Sequence, residues 1–290
     1  MASERAEQDR LRILDTHVHF YDPSRAQGVP WPKPDSPLYR RSLPADYLAA
    51  TDDSGIAGVI VVEASPWLED NQWLLDLAAR EPLISGVVGH LTPGTPDFAD
   101  HLKRFTANRA FRGIRVTGSA LVQQGENADF LGSMRALADA GLTLDVNGNA
   151  STLAAVAHLA GRLPKLRIVL NHLALPGDPA AGIPVAWRDG LRAVAAHKNV
   201  YCKVSALVEM PKAPYGRAPT ALRYYRALLD AVWEILGAER LVYGSDWPVC
   251  ERGAPLRAVQ SLAREFFSLK GRAAMEQVFW INAHAAYLVP

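Results

Sequence analysis

The stretch GVIVVEASPWLEDNQWLLDLAAREPLISGVVG, residues 58–89, decides the fold. Its opening run, Gly58–Glu63, is apolar, β-branched and of strand length, and Ile84–Gly89 is a second such run. Between them, Glu69–Arg80 carries apolar residues at helical spacing. Two strands joined by a crossover of roughly a dozen residues or more must run parallel, because a hairpin is too short to return the chain.

The same unit repeats on both sides. Strand-like runs stand at Ile13–Val18, Phe111–Val116, Leu142–Asn147, Leu166–Asn171, Asn199–Val204 and Arg240–Ser245, which with the two above makes eight. Helix-period segments lie between and after them, at Pro44–Ser54, Pro96–Ala107, Asp129–Ala140, Ser151–Gly161, Pro184–His197, Thr220–Leu236 and Leu256–Lys270. Pro44 suits a first helical turn, Thr95-Pro96 reads as a cap and first-turn proline, and Gly55 and Gly141 suit C-caps. Eight such units predict an α/β protein built as a single (β/α)8 TIM barrel, with an open doubly wound sheet as the alternative. No Gly/Ser- or Pro-rich linker divides the chain, so residues 1–290 read as one domain, with the polar residues 1–10 as a flexible tail.

Composition narrows the function. Hydrophobic residues make up 49% of the 290, enough for a large core, and the formal charge of +1 argues against a broad polyanion-binding surface. No nucleic-acid partner is expected. No apolar h-region follows the first ten residues, and no run approaches the roughly 18 apolar residues of a membrane helix. The two cysteines, Cys202 and Cys250, exclude a disulfide scaffold. The expectation is a cytoplasmic protein acting on a small molecule, with homo-oligomerisation left open.

Chemistry gathers at predicted strand ends. In Asp15-Thr16-His17-Val18-His19, alternation sends His17 and His19 to one face, where two imidazoles can share a divalent metal or form a paired polar wall. Asp246 follows the eighth run, and a closed barrel sets that strand beside the first. Taken alone, it also reads as a turn or helix-capping aspartate. His172 follows the sixth run, and Glu63, ending the second, can complete a metal site or hold a histidine ring. Arg115 and Lys203 lie on the fourth and seventh runs and are candidates to grip an acidic or hydroxylated substrate. Trp247, next to Asp246, joins them as a substrate-contact candidate. Arg112 reads as structural, His101, His158 and His197 as helix-surface residues, and His90 and His284 have no obvious partner. The Pro-rich patch Val29–Leu38 follows strand one and reads as a loop at the catalytic mouth or a lid over it. No Gly-x-Ser-x-Gly elbow, P-loop or dinucleotide fingerprint is present.

The order Asp-Thr-His-Val-His, Asn-His-Leu-Ala, Cys-Lys-Val-Ser-Ala-Leu and Tyr-Gly-Ser-Asp-Trp-Pro-Val-Cys resembles the amidohydrolase superfamily. It is most similar to the branch holding sugar-acid lactonases and the pyrone-dicarboxylate lactonase, from about Ile13 to His284. The resemblance implies a strand-one ligand pair at His17 and His19, a later histidine at His172 that can act in catalysis or ligation, and a water-activating aspartate at Asp246. No lysine ends strand four or five to form a bridging carbamate, so one divalent metal, Zn²⁺, is implied. Some members of the branch work without metal. The expected activity is hydrolysis of a sugar-acid or carboxylated lactone, with Arg115 and Lys203 favouring a charged substrate. The rivals are a metal-dependent decarboxylase of an acidic aromatic substrate, and a non-catalytic barrel whose His17, His19 and Asp246 share no pocket.

Overall fold

A computed structural model describes residues 11–51 and 55–289. The expected tail at 1–10 lies outside the described residues, as does the end of the first predicted helix at 52–54. Eight strands form one parallel sheet in sequence order: β1 Ile13–Val18, β2 Ile56–Val62, β3 Ile84–Gly89, β4 Phe111–Thr117, β5 Thr143–Asn147, β6 Arg167–Leu170, β7 Val200–Val204 and β8 Leu241–Tyr243. The sheet closes just beyond β8. Val18 bridges Trp247, Asp246 N–H donates to His17 O at 2.8 Å, and His19 N–H donates to Trp247 O at 2.8 Å. The open-sheet alternative is thereby excluded.

Helices cover the outside: α1 Pro44–Ala50, α2 Leu68–Ala78, α3 Phe98–Thr106, α4 Gly118–Gln124, α5 Ala128–Asp139, α6 Leu153–Arg162, α7 Val185–Ala195, α8 Leu222–Leu236 and α9 Leu256–Ser268. The longer ones turn an apolar stripe inward, as Leu222, Tyr225, Leu228, Leu229, Val232 and Leu236 do along α8. The first helix stops at Ala50, shorter than its sequence pattern, because Thr51 is already extended.

Two helical regions have no counterpart in the sequence reading. Helix α4, capped by the Thr117 side chain, spans only seven residues, too few for a periodic signal. After α9 the chain continues through α10 Arg272–Glu276, a π-helical turn at Gln277–Ile281 and α11 Asn282–Tyr287. The π-turn's extra residue shifts the apolar phase and blurs the 3.6-residue pattern. This segment closes the N-terminal end of the barrel. Asn282 Nδ2 donates to Ala238 O and Leu241 O, each at 2.7 Å, and Ala283, Ala286 and Tyr287 pack with Leu14, Ile60, Val88, Val169 and Val242 in the interior. Function is left to the opposite, C-terminal end. No helix among the described residues is long and apolar enough to cross a membrane.

Candidate active site

His17 and His19 converge as alternation requires: their Nε2 atoms stand 3.2 Å apart. Asp246 arrives from the far end of the chain, with Oδ1 3.4 Å from His17 Nε2 and 3.3 Å from His19 Nε2. The approach is tight. A Cβ on Gly244 would lie 2.8 Å from the His17 Cβ, so only glycine lets β8 pass. Asp246 itself sits at φ 61, in the left-handed region that costs ~1–2 kcal/mol for a residue with a Cβ. Asp15, unassigned in the sequence reading, stitches the seam. Its Oδ1 accepts Ser245 N–H at 2.8 Å and His17 N–H at 3.2 Å, and its Oδ2 accepts the Tyr47 hydroxyl at 2.8 Å. Burial outweighs those donors and pushes the Asp15 carboxyl up to about 6.

His172 completes the cluster, with Nε2 4.0 Å from Asp246 Oδ2 and its ring centroid 4.5 Å from that of His17. Its Nδ1 lies 2.9 Å from Ser205 Oγ, which fixes the ring plane. Burial draws the His172 imidazole down to about 4, so it is neutral at ordinary pH. The backbone presenting it is unusual: His172, Leu173, Ala174 and Leu175 have φ of 56, 56, 52 and 40. Four consecutive non-glycine residues in the left-handed region each carry a penalty of ~1–2 kcal/mol.

Tautomers follow from the partners. His19 Nδ1 faces Val62 O at 2.9 Å, and a carbonyl only accepts, so Nδ1 carries the proton and Nε2 offers a lone pair. His17 Nδ1 faces Lys203 Nζ at 3.1 Å, and an ammonium only donates, so the His17 proton sits on Nε2. Lys203 in turn donates to Asp145 Oδ2 at 2.6 Å, and the Tyr287 hydroxyl donates to Asp145 Oδ1 at 3.0 Å. The chain of contacts from the C-terminal helix to His17 is continuous.

The structure places two of the substrate-contact candidates away from the cavity surface. Lys203 is fully buried beneath His17 and paired with Asp145. Trp247, 1% exposed, packs edge-on against Tyr47 and Phe20 and closes the barrel seam. Two further candidates pair with each other. Glu63 Oε1 accepts Arg115 Nε at 2.8 Å and its carbonyl accepts Arg115 Nη2 at 2.7 Å, and Glu63 is not among the described residues whose donor atoms cluster with His17 and His19. Arg115 does line the cavity, but with its charge compensated by Glu63.

The cavity above the cluster holds about 350 Å³. Its polar wall includes His19, Arg115, Asn147, His172 and Asp246, and its apolar wall includes Trp31, Met210 and Val249. Trp31 comes from the Pro-rich loop, with its ring 6.0 Å from that of His19, so the loop forms a wall of the mouth. Glu209, in the turn after β7, also lines it and escaped the sequence reading, since no strand pattern marks that position. Burial and the neighbouring Asp246 charge raise the Glu209 carboxyl well above its usual range. At Asp246, burial pushes upward, but His172 and His19 outweigh it and the carboxyl lies far below its usual range. The surroundings thus push these two neighbouring carboxyls in opposite directions.

His17, His19 and Asp246 are the described residues whose donor atoms cluster closely enough to hold a metal. Sides of 3.2, 3.3 and 3.4 Å match the edge of about 3.3 Å expected for a tetrahedron with zinc bonds of about 2.0–2.1 Å. Asp246 Oδ1 is buried without a hydrogen-bond partner, as an atom waiting for a ligand would be. The donors fit a divalent ion, at the cost of displacing the His17 Nε2 proton.

A family model described as Amidohydrolase matches residues 14–289. An L-fucono-1,5-lactonase of Burkholderia ambifaria is 34% identical over 245 residues, covering 81% of this chain and 80% of that protein. Another from Burkholderia multivorans is 30% identical over 288 residues, covering 97% of each. A crystal structure of an amidohydrolase from Burkholderia multivorans with bound zinc has a TM-score of 0.85 at 28% identity, covering 96% of this chain and 100% of that one.

Proposed function

This chain belongs to the amidohydrolase family, and from that premise we propose that it is a lactonase opening an uncharged, hydroxyl-rich sugar-acid lactone. The observation that carries the reading is the cluster of His17, His19, His172 and Asp246 at the mouth of the barrel, three of which, His19, His172 and Asp246, line one cavity while His17 lies buried beneath it. The lactonase relatives support the reaction class. Charge supports the substrate class. Arg115 is paired with Glu63, Lys203 is buried, and Asp246 is ionised, so among the described residues the cavity lining offers no unpaired cation to a substrate carboxylate.

Asp246 holds the attacking water and takes its proton as the water oxygen bonds to the lactone carbonyl carbon. Collapse breaks the bond from that carbon to the ring oxygen, and the proton passes to the departing alkoxide. Asp246 returns to its ionised state and the sugar acid leaves. His172, neutral and held by Ser205, orients the reacting oxygens beside Asp246 Oδ2. Trp31 gives the apolar face of the ring a flat wall, and Asn147 offers its amide to hydroxyl groups. His17, His19 and Asp246 are the residues that would hold a divalent ion such as zinc, which would supply Lewis-acid chemistry towards the lactone carbonyl. Residues 1–290 act together as one catalytic domain.

A pH-indicator assay of purified protein tests this, since ring opening releases an acid. L-fucono-1,5-lactone and other neutral sugar lactones should be opened faster than a carboxylated lactone. No opening above the spontaneous rate would sink the reading, and carbon dioxide released from an acidic aromatic substrate would replace it with decarboxylation.

A further inference from the structure

The left-handed turn His172–Leu175 is stabilised from a distance. Its own two hydrogen bonds run from Ala174 N–H to Asn171 O at 2.9 Å and from Leu175 N–H to His172 O at 2.8 Å. Two short-range bonds do not by themselves favour this geometry, since right-handed turns make the same bonds without the Cβ clash. A third bond comes from helix α7, where the indole Nε1–H of Trp187 donates to Leu173 O at 2.7 Å. Trp187 and Leu173 are both fully buried, so this carbonyl has no water to fall back on. Rotating Leu173 into a right-handed conformation would turn its carbonyl away from the indole and leave a donor and an acceptor unpaired in the core. The same rotation would swing His172 off Ser205 and Asp246, and move Leu175 at the cavity wall.

We propose that Trp187, which lies outside the cavity lining, is a positioning residue. Its single hydrogen bond to Leu173 O holds the strained turn that aims His172 at Asp246. The ring's packing in the core is a separate, ordinary contribution. The catalytic consequence rests on the lactonase reading, whereas the mechanical claim does not.

Trp187→Phe removes the donor and keeps most of the ring. Amide hydrogen exchange should then show Ala174 and Leu175 exchanging at least tenfold faster, with α7 and the barrel strands unchanged. With the best neutral lactone, kcat should fall about tenfold to a hundredfold while KM changes less than twofold, as expected when a catalytic group is displaced by under an ångström. Ala174→Gly removes one Cβ penalty from the turn and should restore most of the lost kcat in the Trp187→Phe background. A merely structural tryptophan would lower stability and activity together, and glycine at 174 would not rescue it. Unchanged kcat and exchange in Trp187→Phe overturn the proposal, as does a kcat loss that Ala174→Gly fails to restore. If Trp187→Phe does not fold, the wild type decides. Protection of the Ala174 and Leu175 amides comparable to that of α7 supports the clamp, and rapid exchange there overturns it. If the wild type opens no lactone, the function reading fails alone and hydrogen exchange still decides the clamp.

Discussion

Lys203 supports His17 from beneath: its Nζ lies 3.1 Å from the imidazole Nδ1 while it pairs with Asp145 at 2.6 Å. Removing one partner of so buried a pair leaves a charge with nothing to offset it. Lys203→Met should therefore cost about 3–5 kcal/mol in urea unfolding, and adding Asp145→Asn should recover a large part of that loss. Additive losses in the double variant would show that the two charges are not coupled.

Asp246→Asn keeps the size of the side chain but removes the base. Turnover should drop by about 10²–10⁴-fold with Tm little changed, measured by lactone hydrolysis alongside thermal unfolding. Wild-type turnover in this variant would remove Asp246 from the proton path.

Glu63→Gln tests the charge argument. Freed of its counter-ion, Arg115 should attract a substrate carboxylate, raising the kcat/KM ratio of a carboxylated over a neutral lactone by about tenfold. An unchanged ratio would mean that Arg115 does not reach the substrate.

His172 sets a pH limit on stability. Its folded value of about 4 lies below the 6.5 of an unperturbed histidine, so between these values the unfolded chain binds more protons. Stability should fall as pH drops from 6.5 towards 4, by on the order of 3 kcal/mol from this residue, and should be constant in this respect above that window. Urea unfolding of the wild type and His172→Gln at pH 7.5 and 5 checks the sign, the variant losing less on acidification.

Zinc should bind once per chain, displace a proton and raise Tm. Titration calorimetry in two buffers of different ionisation enthalpy reads the proton. His19→Gln should weaken binding at least tenfold; undiminished binding would place the ion elsewhere.

The barrel and much of its site are legible in the chain because their signals are local. The short apolar, β-branched runs, the helical repeats between them and the His17–His19 pairing across one intervening residue are all read from neighbouring residues. Closure of strand eight on strand one then brings Asp246 to the histidines, as the repeat count implies. The roles of the charged groups were not legible. Lys203 reads as a substrate cation until Asp145, 58 residues away, is seen to neutralise it, and Arg115 until Glu63, 52 residues away, does the same. Glu209 has no sequence signature, and its proton depends on burial beside Asp246. Periodicity is written in neighbouring residues, whereas the charge, protonation and reach of an ionisable group depend on what the folded chain places within a few ångströms of it. Only the tertiary structure could decide those.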